Sequence, residues 1–388
     1  MTVSSEPSIS DAGQVASPDG RWRAQVESAQ QAVMPVGRVA VSCSAPFGVG
    51  GLGRHLQEVA DALARGGGRA ACVCGSTRAA AGEADRAVRH MLGIPYLQGL
   101  LARAPIPVSP GVRTRAFMVE FDAYAARRLP DAEHLIAFNG QALTQFRTAR
   151  RARYESLGLV SANSHLRRVI RQHARAHEHY PLEGSWASRL VGRNVNEYEL
   201  ADRIYVGSRY TRESFVEEGL DDEKLALFPF TPDPRYKPPA SPPSTQTFEI
   251  VYTGSLAVHK GVPLLIDAVR RLADPDIRLR LVGSWGTRGM RRFIQSACAA
   301  DGRISVCPGD PLPHLHSASL CVHPAYEDGF GYAPAEALAC GVPLLVSEDT
   351  GMKDLLGSPD QGLVLPTGDL QALSEAIQAA HRREILTR

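Results

Sequence analysis

Between residues 231 and 243 the chain places six prolines in thirteen positions: Thr231-Pro232-Asp233-Pro234-Arg235-Tyr236-Lys237-Pro238-Pro239-Ala240-Ser241-Pro242-Pro243. Proline fixes φ and lacks a backbone N–H, so this stretch is neither a helix nor a central strand. It divides a chain of 388 residues, long enough for two domains of ordinary size. On both sides short apolar runs alternate with helical patterns, the mark of parallel α/β sheets. The expected organisation is a domain over 37–231, a Pro-rich linker over 232–246 and a second domain over 247–388. Two doubly wound domains facing across a cleft follow from that alternation, with ligands at the C-terminal ends of the strands.

In the first half, strands are predicted at 38–44, 70–74, 134–138, 157–161, 203–206 and 224–230. Between them lie a glycine loop, Gly48-Val49-Gly50-Gly51, and a helix carrying Leu52, Leu56, Val59, Ala60 and Leu63 at helical spacing. Further helices are predicted at 141–156, 164–180, 185–201 and 210–218. The second half predicts strands at 248–253, 277–282, 304–307, 320–323, 344–347 and 362–365, and helices at 261–273, 288–300, 311–317 and 369–382. Residues 1–36, rich in Ser, Ala, Gln and Pro without sustained periodicity, read as a disordered tail.

The bulk numbers exclude several classes. A formal net charge of +2 gives no global pull toward nucleic acid, and 44% hydrophobic with 22% charged residues is ordinary for a soluble protein. No run of 18 apolar residues exists, so no spanning helix is expected. Glu6 and Asp11, with no apolar run beside them, argue against a secretory leader. The seven cysteines are scattered, odd in number and never spaced Cys-x-x-Cys, which favours reduced thiols and a cytoplasmic setting over a disulfide frame or zinc site.

The run Ala325-Tyr326-Glu327-Asp328-Gly329-Phe330-Gly331-Tyr332-Ala333-Pro334-Ala335-Glu336-Ala337-Leu338-Ala339-Cys340-Gly341-Val342-Pro343 carries the chemistry. Its two glycines let backbone approach a ligand, and N–H groups at such a turn, with a helix start behind them, cradle an anion. Pro334 suits a first helical turn, and Glu336 near the helix start can reach ligand hydroxyls. A plain strand–turn–helix corner is the simpler alternative for an isolated Gly-x-Gly. Lys260-Gly261, after the run Ile250-Val251-Tyr252-Thr253-Gly254, offers a point charge to a diphosphate; taken alone it also fits a solvated lysine.

The longer string resembles the donor-binding signature of the retaining family-4, group 1 glycosyltransferases, which have the GT-B fold of two Rossmann-like domains. In that family two glutamates bracket seven residues; here Asp328 and Glu336 hold those places, so the first carboxylate is one methylene shorter. Tyr252-Thr253-Gly254 with Lys260-Gly261-Val262 resembles the family's first donor turn, with Ser255 where an arginine is common. Gly283 and Gly309 follow strands as in the family's nucleotide loops, and Gly50-Gly51 with Arg54 and His55 resembles its glycine-rich loop. Asn163-Ser164-His165 resembles a family subgroup with Ser-His at this point. His173, His177 and His179 lack such support and read as a solvated helix face.

The resemblance implies transfer of a sugar from a nucleotide-diphosphate sugar, UDP- or GDP-linked, to an acceptor hydroxyl on a glycan, lipid-linked or small molecule. It implies retention of anomeric configuration, no metal and no other cofactor. The implied catalytic groups are His165, Asp328 and Lys260. The implied donor-binding residues are Gly50, Gly51, Ser255, Lys260, Gly283, Gly309, Asp328, Gly329, Phe330, Gly331 and Glu336. The family's C-terminal crossing helix is expected to be short or absent, leaving closure or stability to a homo-oligomer or partner subunit. A catalytically silent scaffold homologue and a sugar-nucleotide epimerase are the competing readings; a glycosyl phosphorylase finds no pyridoxal-phosphate lysine site.

Ten arginines against three acids lie between residues 147 and 193, with Arg167, Arg168, Arg171 and Arg175 near one predicted helix face. A solvated basic surface accounts for them; the sharper expectation is a patch for anionic lipid at the inner face of a membrane. RNA is disfavoured because aromatics are not interleaved with the basic run.

Overall fold

The computed structural model describes residues 21–48, 50–74, 87–90, 110–183, 191–241 and 247–386. By internal contacts the chain divides into two compact units. One comprises Val26–Ile170 and Ser185–Phe230; the other takes Met1–Gln25, Arg171–Gly184 and Thr231–Arg388. The main break therefore falls at the start of the proline-rich segment. The segment Arg171–Gly184, expected in the first domain, packs with the second half of the chain.

The first unit is built on seven parallel strands: β1 (Arg38–Cys43), β2 (Arg69–Cys74), β3 (Ala87–His90), β4 (His134–Phe138), β5 (Ser156–Ser161), β6 (Arg203–Val206) and β7 (Leu225–Leu227). Their order is β3-β2-β1-β4-β5-β6-β7. The second unit has six: β8 (Phe248–Thr253), β9 (Ile277–Val282), β10 (Ile304–Val306), β11 (Leu320–His323), β12 (Leu344–Ser347) and β13 (Gly362–Leu365). These lie in the order β10-β9-β8-β11-β12-β13. Both sheets reverse direction beside their first strand, between β1 and β4 and between β8 and β11. In doubly wound sheets that switch point opens a crevice at the carboxyl ends of the strands.

The strands read as near-continuous apolar runs because helices cover both faces of such sheets. In the second unit Ile250, Tyr252, Leu279, Leu281, Leu320 and Val322 share one core cluster with Leu265, Ile266 and Val269 of the helix Val262–Arg271. The first unit's core gathers Leu135, Leu157, Leu159 and Ile204 around Phe146, Tyr198 and Phe215.

Two helices lie where none was predicted. The helix Arg21–Val33 occupies part of the expected tail. Val26 and Gln30, four apart, are buried on it, Met34 is buried just past its end, and Gln30 Nε2 donates to Pro229 O at 2.7 Å. One of its anchors is thus polar, which hides the stripe from a hydrophobicity pattern. The helix Pro110–Ala126 is the other. The tail's first 20 residues, positions 185–190 of a predicted helix, Val49 and linker residues 242–246 lie outside the described residues. Five cysteines are buried, Cys298 and Cys307 are half-buried, and no disulfide joins any of the seven.

A buried ionic network holds the first unit's switch point. Glu197, in the helix Val191–Leu200, accepts from the Gly140, Ala142 and Leu143 amides at 2.5, 2.9 and 3.1 Å. Asp122 accepts from the Thr144 and Gln145 amides at 2.6 and 3.0 Å. Four consecutive amides at the start of the helix Leu143–Arg151 are thereby satisfied, as a buried helix end requires. Arg193 bridges both carboxylates. Burial pushes the Glu197 carboxyl up to about 7, against the pull of the amides and Arg193.

Candidate donor site at the switch point of the second unit

Four loops leave the C-terminal ends of β8, β9, β10 and β11 at one edge of the second sheet, and most of the expected site residues lie on them. The β8 loop holds Gly254 at φ 130°, exposed Ser255 and, after the short 3-10 helix Val258–Lys260, Gly261 at φ 72°. Glycine is required at two approaches here. A Cβ on Gly261 would stand 1.9 Å from Pro324 O, and one on Gly283 would stand 1.6 Å from Gly254 O. The β8 loop thus lies directly against its neighbours on both sides of the sheet. Gly309, after β10, takes φ 116° with open space around it.

After β11 the chain makes the signature turn and enters the helix Tyr332–Ala339, with Gly331 as its N-cap at φ 87° and Pro334 in the first turn. Phe330 is buried edge-on to Tyr332, with ring centroids 5.2 Å apart. Glu336 is 5% exposed beside Tyr236 and Cys340. Burial first, and then the Glu336 charge, pushes both the Tyr236 phenol and the Cys340 thiol up to about 12. Arg235 donates to the Tyr236 hydroxyl at 2.8 Å, and the Lys237 backbone bonds to the Cys340 thiol, so the proline-rich segment lies along this helix.

Asp328 stands at the centre. Its backbone is fixed in a bridge to Thr350: its N–H donates to Asp349 O at 3.0 Å, and its own carbonyl accepts from the Gly351 amide at 2.9 Å. Its Oδ2 receives Lys260 Nζ at 3.0 Å and His323 Nε2 at 3.0 Å. Burial alone would raise this carboxyl; Lys260 and His323 outweigh it and hold the group far below the usual carboxylate range. Lys260 Nζ also donates to Glu327 O at 3.1 Å. An ammonium has three N–H donors, and the third has no partner among the described residues.

Arg171–Gly184 supplies a further wall to this unit. His173, 1% exposed, stacks on His259 with ring centroids 4.3 Å apart. Burial lowers His173 to about 3 and His259 well below its usual value, Lys260 and the neighbouring histidines adding to both. His179 Nδ1 lies 2.7 Å from the Tyr326 hydroxyl, Tyr180 donates to Asp267 at 2.9 Å, and Glu183 accepts from the Val258 amide at 2.8 Å. The solvated face expected for these histidines is thus corrected for His173, whose burial comes from a partner far along the chain. Sequence reasoning also missed His323; the available signal was a histidine closing an apolar strand five residues before Asp328.

The expected residues of the first half lie in the other unit. Gly50, at φ 68°, and Gly51 start the helix Gly50–Arg65, and a Cβ on either would meet nothing within 4 Å. His55 is buried and stacked on Phe230 at 3.7 Å. His165, expected to be catalytic, is 2% exposed, with Tyr198 and Phe215 ring centroids 4.8 and 5.1 Å away. Its Nδ1 accepts from the Arg167 amide at 3.3 Å, so the imidazole caps the helix Leu166–His179. The arginine row is partly spent within the chain: Arg167 pairs with Glu218 at 3.3 Å, Arg168 with Glu217 at 3.4 Å, and Arg175 donates to Thr367 O at 2.6 Å. Among the described residues, no group of three or more His, Cys, Asp or Glu side chains is placed to hold a metal, and no helix is long and apolar enough to cross a membrane.

Two parallel doubly wound sheets, each reversing beside its first strand, define the GT-B class. Solved structures agree on the fold. Sucrose-phosphate synthase from Thermosynechococcus elongatus superposes with a TM-score of 0.64 at 18% identity, over 89% of this chain and 90% of that one. HepE from Anabaena, solved in complex with UDP-glucose, gives 0.61 at 18%, again over 89% and 90%. Residues 236–387 match the family described as glycosyl transferases group 1. O-antigen chain mannosyltransferase B of Escherichia coli is 31% identical over 130 residues, 32% of this chain and 31% of that protein. D-inositol 3-phosphate glycosyltransferase of Pseudarthrobacter chlorophenolicus is 26% identical over 216 residues, 53% and 49% of the two chains. The chain thus spans about a third and about half of the length of these two curated relatives.

Proposed function

We propose that this protein transfers a sugar from a nucleotide-diphosphate sugar to an acceptor hydroxyl, with retention of anomeric configuration and without a metal. One observation carries the reading: Lys260 and Asp328 pair across the switch point between β8 and β11, in front of the helix that Gly331 caps. In such sheets that crevice takes the nucleotide. Lys260 has an N–H to offer the leaving diphosphate, helped by the Gly329–Gly331 turn and the helix start. Glu336 accepts from the ribose hydroxyls, Asp328 orients the transferred sugar, and Gly254, Ser255, Gly283 and Gly309 give the nucleotide a backbone floor. The described relatives support this reading, one being named as a mannosyltransferase and one having been solved with UDP-glucose.

The first unit is assigned the acceptor. Exposed Arg167 of that unit, with Arg171 and Arg175 of the segment that packs with the second unit, lies on one helix face and favours an anionic surface, for which sedimentation with neutral and anionic vesicles is the check. The donor is tested by thermal shift against UDP, GDP, ADP, TDP and their sugar conjugates, followed by product analysis with a mixed acceptor pool. Stabilisation by one base and a glycosylated product support transfer. Binding without turnover favours a scaffold, and turnover to an isomeric donor favours an epimerase.

A further inference from the structure

Asp328 is clamped at one oxygen and left open at the other. Both partners of its carboxylate among the described residues, Lys260 Nζ and His323 Nε2, fall on Oδ2, each at 3.0 Å. Oδ1 has no hydrogen-bond partner among the described residues, and the side chain keeps 21% of its surface exposed. With the backbone pinned at both its N–H and its carbonyl, the remaining freedom is rotation of the carboxylate, which would exchange the two oxygens.

The two partners differ in what they can do once a donor arrives. Lys260 is a point charge on a flexible stem and is drawn toward a diphosphate. His323 has no such freedom. It is the last residue of β11, its side chain is 4% exposed, and its ring lies parallel to that of Tyr252, 4° between planes and 6.0 Å between centroids. Tyr252 is itself fully buried and tied by its hydroxyl to Ser255 O at 2.8 Å. An ionised carboxylate only accepts, so the Nε2 of His323 carries the proton in this contact.

We propose that His323 is the positioning residue that holds Asp328 Oδ2, so that Oδ1 is presented to a hydroxyl of the transferred sugar while Lys260 turns to the diphosphate. The inference rests on the donor-site reading above and adds a residue to it. The shorter acid is reached by a rigid ring from the last residue of the strand that leads into its own turn.

The test compares the full chain with His323→Gln, which sets an amide N–H near the place of Nε2, and His323→Leu, which sets none there. Each is titrated with UDP and GDP alone and assayed with UDP-glucose and GDP-mannose. For His323→Leu, kcat is expected to fall about 10- to 100-fold, the scale of a misplaced reacting group, with affinity for the free nucleoside diphosphate unchanged. His323→Gln is expected to recover most of that loss. Wild-type turnover in His323→Leu, no recovery in His323→Gln, or an equal loss of diphosphate affinity overturns the positioning role. If the unaltered chain neither binds nor turns over any nucleotide sugar, the donor-site reading falls, and this inference with it. If His323→Leu does not fold, His323→Gln against wild type still decides, since near-wild-type kcat is expected of it and a loss as deep as that of Asp328→Asn is not.

Discussion

His173 and His259 stack at 4.3 Å between ring centroids, with 25° between their planes, and burial keeps both neutral. Their folded-state values lie below the unfolded value near 6.5, so the unfolded chain takes up protons that the folded chain refuses. The stability of the stack is fully present above pH 6.5 and is lost as pH falls below it, by up to about 1.4 kcal/mol per pH unit for each histidine. Melting temperature is therefore expected to drop between pH 6.5 and 4.5, and His173→Phe, which keeps a ring in the stack, should flatten that slope. An unchanged slope in the variant would place the acid sensitivity elsewhere.

Lys260→Ala and Glu336→Ala should each weaken binding of the stabilising nucleoside diphosphate by about 1–3 kcal/mol, the range for losing a charged hydrogen-bond partner. Calorimetric titration of UDP and GDP reads the effect. Unchanged affinity in both variants would remove the proposed donor site.

Asp328→Asn keeps the size of the side chain and removes its charge. Turnover should fall by about 10²- to 10³-fold, the usual cost of deleting one preorganised electrostatic group. Diphosphate affinity should change little or rise, because Lys260 loses its internal competitor. A loss confined to affinity would argue against contact with the sugar.

Glu197→Ala strips three amides and Arg193 of their acceptor inside the first unit. Breaking a buried ionic network in this way costs about 3–5 kcal/mol. Chemical denaturation followed by circular dichroism should show that loss, while nucleotide affinity of any folded fraction stays as in the wild type.

The strands His134–Phe138, Arg203–Val206, Phe248–Thr253, Ile277–Val282, Leu320–His323, Leu344–Ser347 and Gly362–Leu365 were legible because short apolar-rich runs, some broken by a charge as in Ile277–Val282, stand between turn and helix signals. The turn around Asp328 was legible because glycine, proline and carboxylate spacing are local properties. The helix Arg21–Val33 was not, since Gln30 replaces an apolar anchor through a hydrogen bond to Pro229. Nor was the burial of His173, which depends on a partner brought in by topology; spacing along one segment has no access to that. The clamp from His323 lies only five residues before Asp328, so its signal was local and was passed over. His165, marked out by local context, also caps the helix that follows it through the Arg167 amide.

The strap Arg171–Gly184 is made early and used late. His179 and Tyr326 are 147 positions apart, and Arg175 reaches Thr367 across 192. During synthesis this strap leaves the ribosome long before the sheet it belongs to exists. Its buried face, His173 and Ala176 included, must wait for most of the remaining chain to be translated. A gene cut at the proline-rich segment would strand that strap on the wrong fragment. The second half expressed alone would carry an open seam along His259, Tyr326 and Asp267, and only co-production of both fragments would close it.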